Sequence, residues 1–262
     1  MSARTSLARM VSAPDEWNRR RLQLALAAAA LIVAAVIAGV LWSVIELLSA
    51  GDVDRGPSAE QSVEDEQRSI AELSIEAAQP GPLASTDPGS LVVPQPSKLG
   101  QAQVGSGFPR TSEGALAQLI AIDQRALESA SVVVAQDVIE AWAAPGGPTA
   151  STWSGVTAVQ GFLESAGLPA NGSPELRIQL EPAMGRVSGD GQATTACVDF
   201  VVYATITGRQ PIRIAVADCQ HMLWQDDRWV IAPGEEAAPM PSLWPGTQAS
   251  YDAGYQWLEV QP

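Results

Sequence analysis

The chain has one lysine, one histidine and two cysteines among 262 residues, and each scarcity removes a class of function. Lysine and arginine together number 15 against 29 acidic residues, a formal net charge of −14. Direct nucleic-acid binding is excluded by that balance, because neutralising phosphates takes clustered Lys and Arg. A single histidine, His221, with only Cys197 and Cys219, lacks the ligand spacing of a zinc site. The glycines of "PGGPT" at 145–149 have no Lys-Ser or Lys-Thr after them and no strand before them, so they read as a helix stop and not as a phosphate cradle. Asp226 and Asp227 stand side by side, but they fit the two central positions of a tight turn better than an acid–base pair. No catalytic residue, cofactor ligand or metal ligand is therefore expected.

What is present begins with an uncharged run from Leu22 to Ile45, inside the apolar stretch 22–48. As a helix rising ~1.5 Å per residue it spans about 35 Å, enough for a hydrocarbon core of ~30 Å with some tilt. Arg19, Arg20 and Arg21 precede it; Asp52 and Asp54 follow it with only Arg55 between them and neutrality. By the positive-inside rule, residues 1–21 stay in the cytoplasm and everything after 48 lies outside, with Trp42 as an interfacial anchor. A cleaved signal peptide is the rival reading. Its apolar region is usually only ~7–15 residues long, and Leu48 fits poorly at the third position before a cut after Ala50.

From 49 to 110 the chain is rich in Gly, Pro, Ser, Gln and acidic residues, a composition that buries too little apolar surface to offset the entropy of ordering. A flexible acidic spacer is expected there, with at most a transient helix at "RSIAELSIEAA". Order is expected from 111 to 240. Thr111 or Ser112 caps a first helix whose Glu113 suits its positive end, and Leu116, Leu119, Ile120, Asp123 and Leu127 recur at helical spacing. A second helix runs from about Val132 to Ala144 with Val134, Val138, Ile139 and Trp142 as its stripe, and a third is "GVTAVQGFLESAGL".

Strands follow. "ELRIQLEPAMGRV" alternates around Leu176, Ile178 and Leu180, and "SGDG" turns it into the segment "CVDFVVYATITGRQPIRIAVADC". The two cysteines stand equidistant from Gly208. If the hairpin turns there, through a three-residue loop of Thr207, Gly208 and Arg209, then Phe200 meets Val216, Val202 meets Ile214 and Ala204 meets Ile212. The same register sets Cys197 against Cys219. A cross-strand disulfide is the leading reading, two small buried thiols and half of a metal site being the others, and the disulfide needs an oxidising compartment. His221 shares the cysteine face as a solvated strand residue. In "LWQDDRWVI" the turn at the aspartates sets Trp224 opposite Trp229.

The expected fold class is α+β: a transmembrane helix, a disordered spacer, then three helices packed on a curved four-stranded antiparallel sheet. The tail, 241–262, is expected to add a short helix carrying Tyr251, Tyr255, Trp257 and Leu258. This order of elements resembles the nuclear transport factor 2-like fold, and "HMLWQDDRWVIAP" is similar to the terminal hairpin common in that superfamily.

With its short cytoplasmic start, single membrane helix, spacer and one such domain, the layout resembles the inner-membrane scaffold subunits of bacterial type IV secretion and conjugation machines. "GFPRTSEGALAQL", "AWAAPGGP" and "SLWPGTQASYDAGY" look like membrane proteins of actinobacterial conjugative elements, in agreement with an alanine-rich chain whose cations are almost all arginine. The likeness covers 15–50 by layout and about 108–258 by texture. The long spacer and the disulfide depart from it. It implies a non-enzymatic assembly component in the cell membrane, without cofactor, whose partners are other envelope transfer subunits or further copies of itself.

Two other readings follow from the fold: a module holding a small apolar ligand, and an acid–base enzyme using Asp, Tyr and His within the cone. Against the enzyme, Asp199, Tyr203 and His221 fall on the cysteine face of their strands and not on the apolar face. Trp244, Tyr251, Tyr255 and Trp257 are the candidate partner contacts, because Trp and Tyr are favoured interface anchors; the alternative is that the tail packs on its own sheet.

Overall fold

Helix α1, Ser112–Glu128, starts where Thr111 accepts the N–H of Gly114 at 3.1 Å, and it carries Leu116, Leu119, Ile122 and Ala126 on its buried face. Helix α2, Val132–Trp142, is capped by Ser131 and buries Val138, Ile139 and Trp142. Helix α3, Ser154–Ala166, ends at Gly167 in the left-handed region. The computed structural model that shows these elements describes residues 76–260, all within one compact unit, Gly56–Pro262. The expected membrane helix at 22–48, the expected cytoplasmic stretch before it and the first part of the expected spacer lie outside the described residues.

The strands are β1 Ser90–Val93, β2 Lys98–Leu99, β3 Gly105–Ser106, β4 Leu176–Gly189, β5 Ala193–Ile206, β6 Ile212–Gln225, β7 Arg228–Ile231 and β8 Gln256–Val260. Six of them form one mixed sheet in the order β1-β8-β4-β5-β6-β7, with β1 parallel to β8 and the other pairs antiparallel. The meander β4–β7 is the four-stranded sheet expected from the sequence. Its further edge is a correction: β1 comes from the expected spacer and β8 from the expected tail. Both were hidden because short strands flanked by Pro and Gly carry little periodicity of their own.

The spacer therefore ends sooner than 110. Ala78 is buried, and its carbonyl accepts the N–H of Ala215 at 2.8 Å. The small β2–β3 hairpin is clamped against α1 and α2: Gln118 donates to the Gly105 carbonyl at 3.0 Å and Trp142 to the Gln101 carbonyl at 3.1 Å. In the tail, only Gln248–Asp252 is helical (α4), so Tyr251 is in a helix while Trp257 and Leu258 are in a strand.

Between β5 and β6 the expected register holds in full: Phe200 pairs with Val216, Val202 with Ile214, Ala204 with Ile212 and Cys197 with Cys219. Gly208 has φ of +79°, the conformation it was needed for. The connection is longer than the three residues expected, running over 207–211, because Pro211 has no N–H to give to the ladder. The Asp226–Asp227 turn has both residues at positive φ, 49° and 56°, and sets the Trp224 and Trp229 rings edge to face at 5.4 Å.

In β4 the pairing with β5 slips between Pro182 and Met184, so Ala183 is an extra residue. That bulge reverses the alternation. Leu176 and Leu180 pack beneath the helices, whereas Met184 packs on the other face with Cys197, Cys219 and Tyr255. The sheet thus has two covered faces. One lies under α1–α3 over the main core; the other lies under 76–79 and the chain from 237 to 255.

Candidate functional site

Along β6 the helix-covered face reads Ile214, Val216, Asp218, Gln220, Met222, since alternate residues share a face. Two polar residues thus interrupt an apolar row. Asp123 does the same on α1: it lies between Leu119 and Ala126 on the buried stripe and is only 2% exposed. Gln220 is fully buried and its Nε2 donates to Asp218 at 3.3 Å and to Glu236 Oε2 at 2.8 Å. Glu236 also accepts from the backbone N–H of Ser154 at 2.9 Å and from the Ser154 hydroxyl. Trp153, the N-cap residue of α3, offers that helix no side-chain cap, so the Glu236 carboxylate takes the place of one and complements the helix dipole.

This cluster joins α1, β6, the start of α3 and the segment after β7. Burial pushes the Asp123 carboxyl well above its ordinary range, and the nearby Asp218 and Glu236 push it further. Burial also raises Asp218, to about 6, against the hydrogen bond from Gln220. Asp123 Oδ2 and Gln220 Oε1 are buried without a hydrogen-bond partner among the described residues. The Asp218 and Glu236 carboxylates are joined through the amide nitrogen of Gln220. Among the described residues no group of His, Cys, Asp and Glu is arranged to hold a metal ion.

The opposite face holds the residues singled out from the sequence. Cys197 and Cys219 are joined in a disulfide with Cα atoms 4.1 Å apart. Asp199 is on the same side, as expected. It is fully buried, accepting the N–H of Leu243 at 3.3 Å through Oδ2 while Oδ1 has no partner. Burial raises its carboxyl to about 8, the Leu243 N–H opposing that rise. The Tyr255 hydroxyl is likewise buried without a partner, and burial together with Asp199 and Asp218 pushes its ionisation upward. Tyr203 is half-buried beneath Arg213, whose guanidinium lies 5.3 Å from its ring and 4.6 Å from that of Trp244. His221 is exposed and bonded to Thr195 at 2.9 Å.

Of the four candidate contact residues, Trp244 is 7% exposed and Tyr255 not at all. Both are core residues, Tyr255 beside the disulfide and Trp244 beside Val201 and Ala215, so their expected role as free surface anchors gives way to the alternative, a tail packed on its own sheet. Tyr251 and Trp257 are half-buried. Among the described residues, large apolar side chains are exposed elsewhere, at Leu83, Val92, Leu99, Val133, Ile212 and Val260. Val92 lines an open groove of about 390 Å³ beside the edge strand β1, together with Leu91, Pro94 and Pro109.

The acidic cluster was not singled out from the sequence, yet the signal was there. Asp123 occupies the helical stripe, and Asp218 and Gln220 extend the even-numbered series of Ile212, Ile214 and Val216. A polar residue on a face assigned to the core is the informative kind of exception. Compared with known protein families, characterised proteins and solved structures, the chain matches none.

Proposed function

We propose that the chain is a non-enzymatic assembly subunit of a conjugative, type IV secretion-like DNA-transfer apparatus. It is held by a single membrane helix at 22–48, with its N-terminus in the cytoplasm and a nuclear transport factor 2-like domain outside. The order of three helices followed by the meander β4–β7 supports the fold assignment. The Cys197–Cys219 bridge supports the topology, since a disulfide persists in an oxidising compartment.

The observation that carries the assembly role is the filled helix-covered face. Trp142, Trp153, Trp229 and Phe200 are fully buried there along with Leu116, Leu119 and Ile139. A face so occupied contributes stability and leaves contact with partners to the outer surface. On that surface β1 is an edge strand among the described residues, with an adjoining groove and an exposed valine, a combination suited to adding a partner strand. A photoreactive residue at position 92, in cells carrying the transfer apparatus, is expected to give adducts with other envelope subunits. Adducts absent at 92, with transfer unimpaired when the gene is deleted, would remove the assembly role.

A further inference from the structure

We propose that the edge of β1 binds a short extended segment of a partner protein in which a lysine or arginine stands between two apolar residues. This rests on the reading of β1 as the contact strand and adds the chemistry of what the strand contacts. Trp257 donates to the Gly89 carbonyl at 3.1 Å, and Trp257 is level with Ser90 in the parallel pairing of β1 with β8. That pattern turns the backbone groups of Gly89, Leu91 and Val93 toward β8, and those of the alternate residues Ser90 and Val92 toward the edge. Pro88 and Pro94 occupy the next positions of the edge-facing series, and neither has an N–H to offer. The edge therefore accepts a partner strand of about three residues and no longer one.

A partner residue level with Leu91 faces the helices, as Leu91 does, and enters the groove beside the strand. Leu91, Pro94 and Pro109 give that groove an apolar lining, and Glu113 gives it a carboxylate. Arg110, the nearest cation along the chain, is engaged elsewhere, donating to the Gly191 carbonyl at 2.8 Å and to Gln192. Among the described residues no hydrogen bond or ion pair holds the Glu113 carboxylate. A lysine or arginine answers both features, its stem lying along the apolar lining and its charge meeting the acid. Its neighbours on the partner strand point to the opposite face. There Val92 is 51% exposed and Leu83 71%, and Leu83 and the Trp257 ring crowd the same point beside Gly246. A second copy of this chain suits the edge less well. Its β1 reads Ser-Leu-Val-Val and brings no cation, and each copy carries a formal charge of −14.

The test uses the full-length chain in phosphatidylcholine nanodiscs, with empty discs as the blank. The probe is a labelled, end-blocked peptide, Thr-Val-Arg-Val-Thr, followed by fluorescence anisotropy; the control peptide has Glu in place of Arg. Val92→Pro removes one edge-facing N–H at a position where an edge strand tolerates proline, and Glu113→Gln removes the charge alone; each is first checked for the parent's melting temperature. Saturable binding of the Arg peptide is expected, about fivefold weaker with the Glu peptide and with Glu113→Gln, and about tenfold or more weaker with Val92→Pro. No saturation, equal binding of the two peptides, or binding unchanged in both variants would overturn the site. Self-association of the parent chain that Val92→Pro abolishes would place a second copy at the edge and overturn the partner segment. Adducts at 92 in cells without peptide binding keep the assembly role and remove this partner chemistry, whereas peptide binding with transfer unimpaired by gene deletion keeps the site and removes the role.

Discussion

Trp229 donates its indole N–H to the carbonyl of Pro109 at 2.9 Å, linking the edge strand β7 to the residues that lead into α1. The same carbonyl accepts the N–H of Thr111 at 2.9 Å, so one oxygen fixes both the entry to the helix and the far side of the sheet. Gly114, in the first turn, lies against it. A Cβ at that position would collide with the Pro109 carbonyl oxygen, a backbone atom that cannot move aside alone.

Gly114→Ala is accordingly expected to destabilise the domain by about 2 kcal/mol. Helix propensity taken alone predicts the opposite sign, since Ala is favoured over Gly by ~1 kcal/mol within a helix. Denaturant unfolding of the two proteins decides between them: a rise in midpoint would mean that α1 does not approach Pro109 as closely as described.

The disulfide closes a sequence separation of 22 and is expected to contribute about 3 kcal/mol through the unfolded chain. Cys197→Ser should lower the melting temperature while leaving the sheet intact by circular dichroism. Both cysteines are buried beneath Leu243 and Tyr255, so a thiol reductant reaches them only when the tail opens. Reduction in native buffer should therefore follow the rate of unfolding and speed up with urea. Rapid reduction of the native protein would show that the tail does not cover the bridge.

Asp199 has a folded-state carboxyl raised to about 8 by burial, far above the ordinary value near 3.9. The folded state then binds a proton that the unfolded state has released, so stability falls as pH rises from about 4 and stops falling above about 8. Asp199→Asn keeps the shape without the charge. It should be more stable than the parent at pH 8.5 by ~2 kcal/mol or more, with most of that difference gone at pH 5. Melting curves of the pair across this range check it, and a difference that does not change with pH would place the carboxylate in contact with water.

How far the fold was legible in the sequence depended on whether signals agreed. The β5–β6 register could be read because the apolar rows and the two cysteines demand the same pairing, and a slip of one residue spoils both. Helix α1 was legible from its cap and stripe together, and α2 from its stripe and the Pro-Gly stop after it. β1 and β8 were not. Each is four or five residues long, and each becomes a strand only because β4 and its partners offer an edge to pair with. The acidic cluster was missed for a related reason: Asp123 was counted into the helical stripe as a matter of spacing, and its burial becomes informative only when Asp218 and Glu236 arrive from β6 and the segment beyond β7.

The tail ties these points to function. Trp244 and Tyr255 are buried, Trp257 pairs with both Ser90 and Met184, and β8 lies between β1 and β4. Deleting 244–262 removes that strand and uncovers Met184 and the disulfide, so the truncated chain is expected to lose cooperative unfolding altogether. Loss of transfer in such a deletion would then report unfolding and not a missing contact. Crosslinkers separate the two. Placed at 255 they should give only intramolecular adducts, whereas at 92, beside the open groove, they should reach other subunits. A truncated protein that still melts cooperatively at the parent temperature, or partner adducts from 255 as abundant as those from 92, would mean that the tail is free of the sheet and is itself the contact surface.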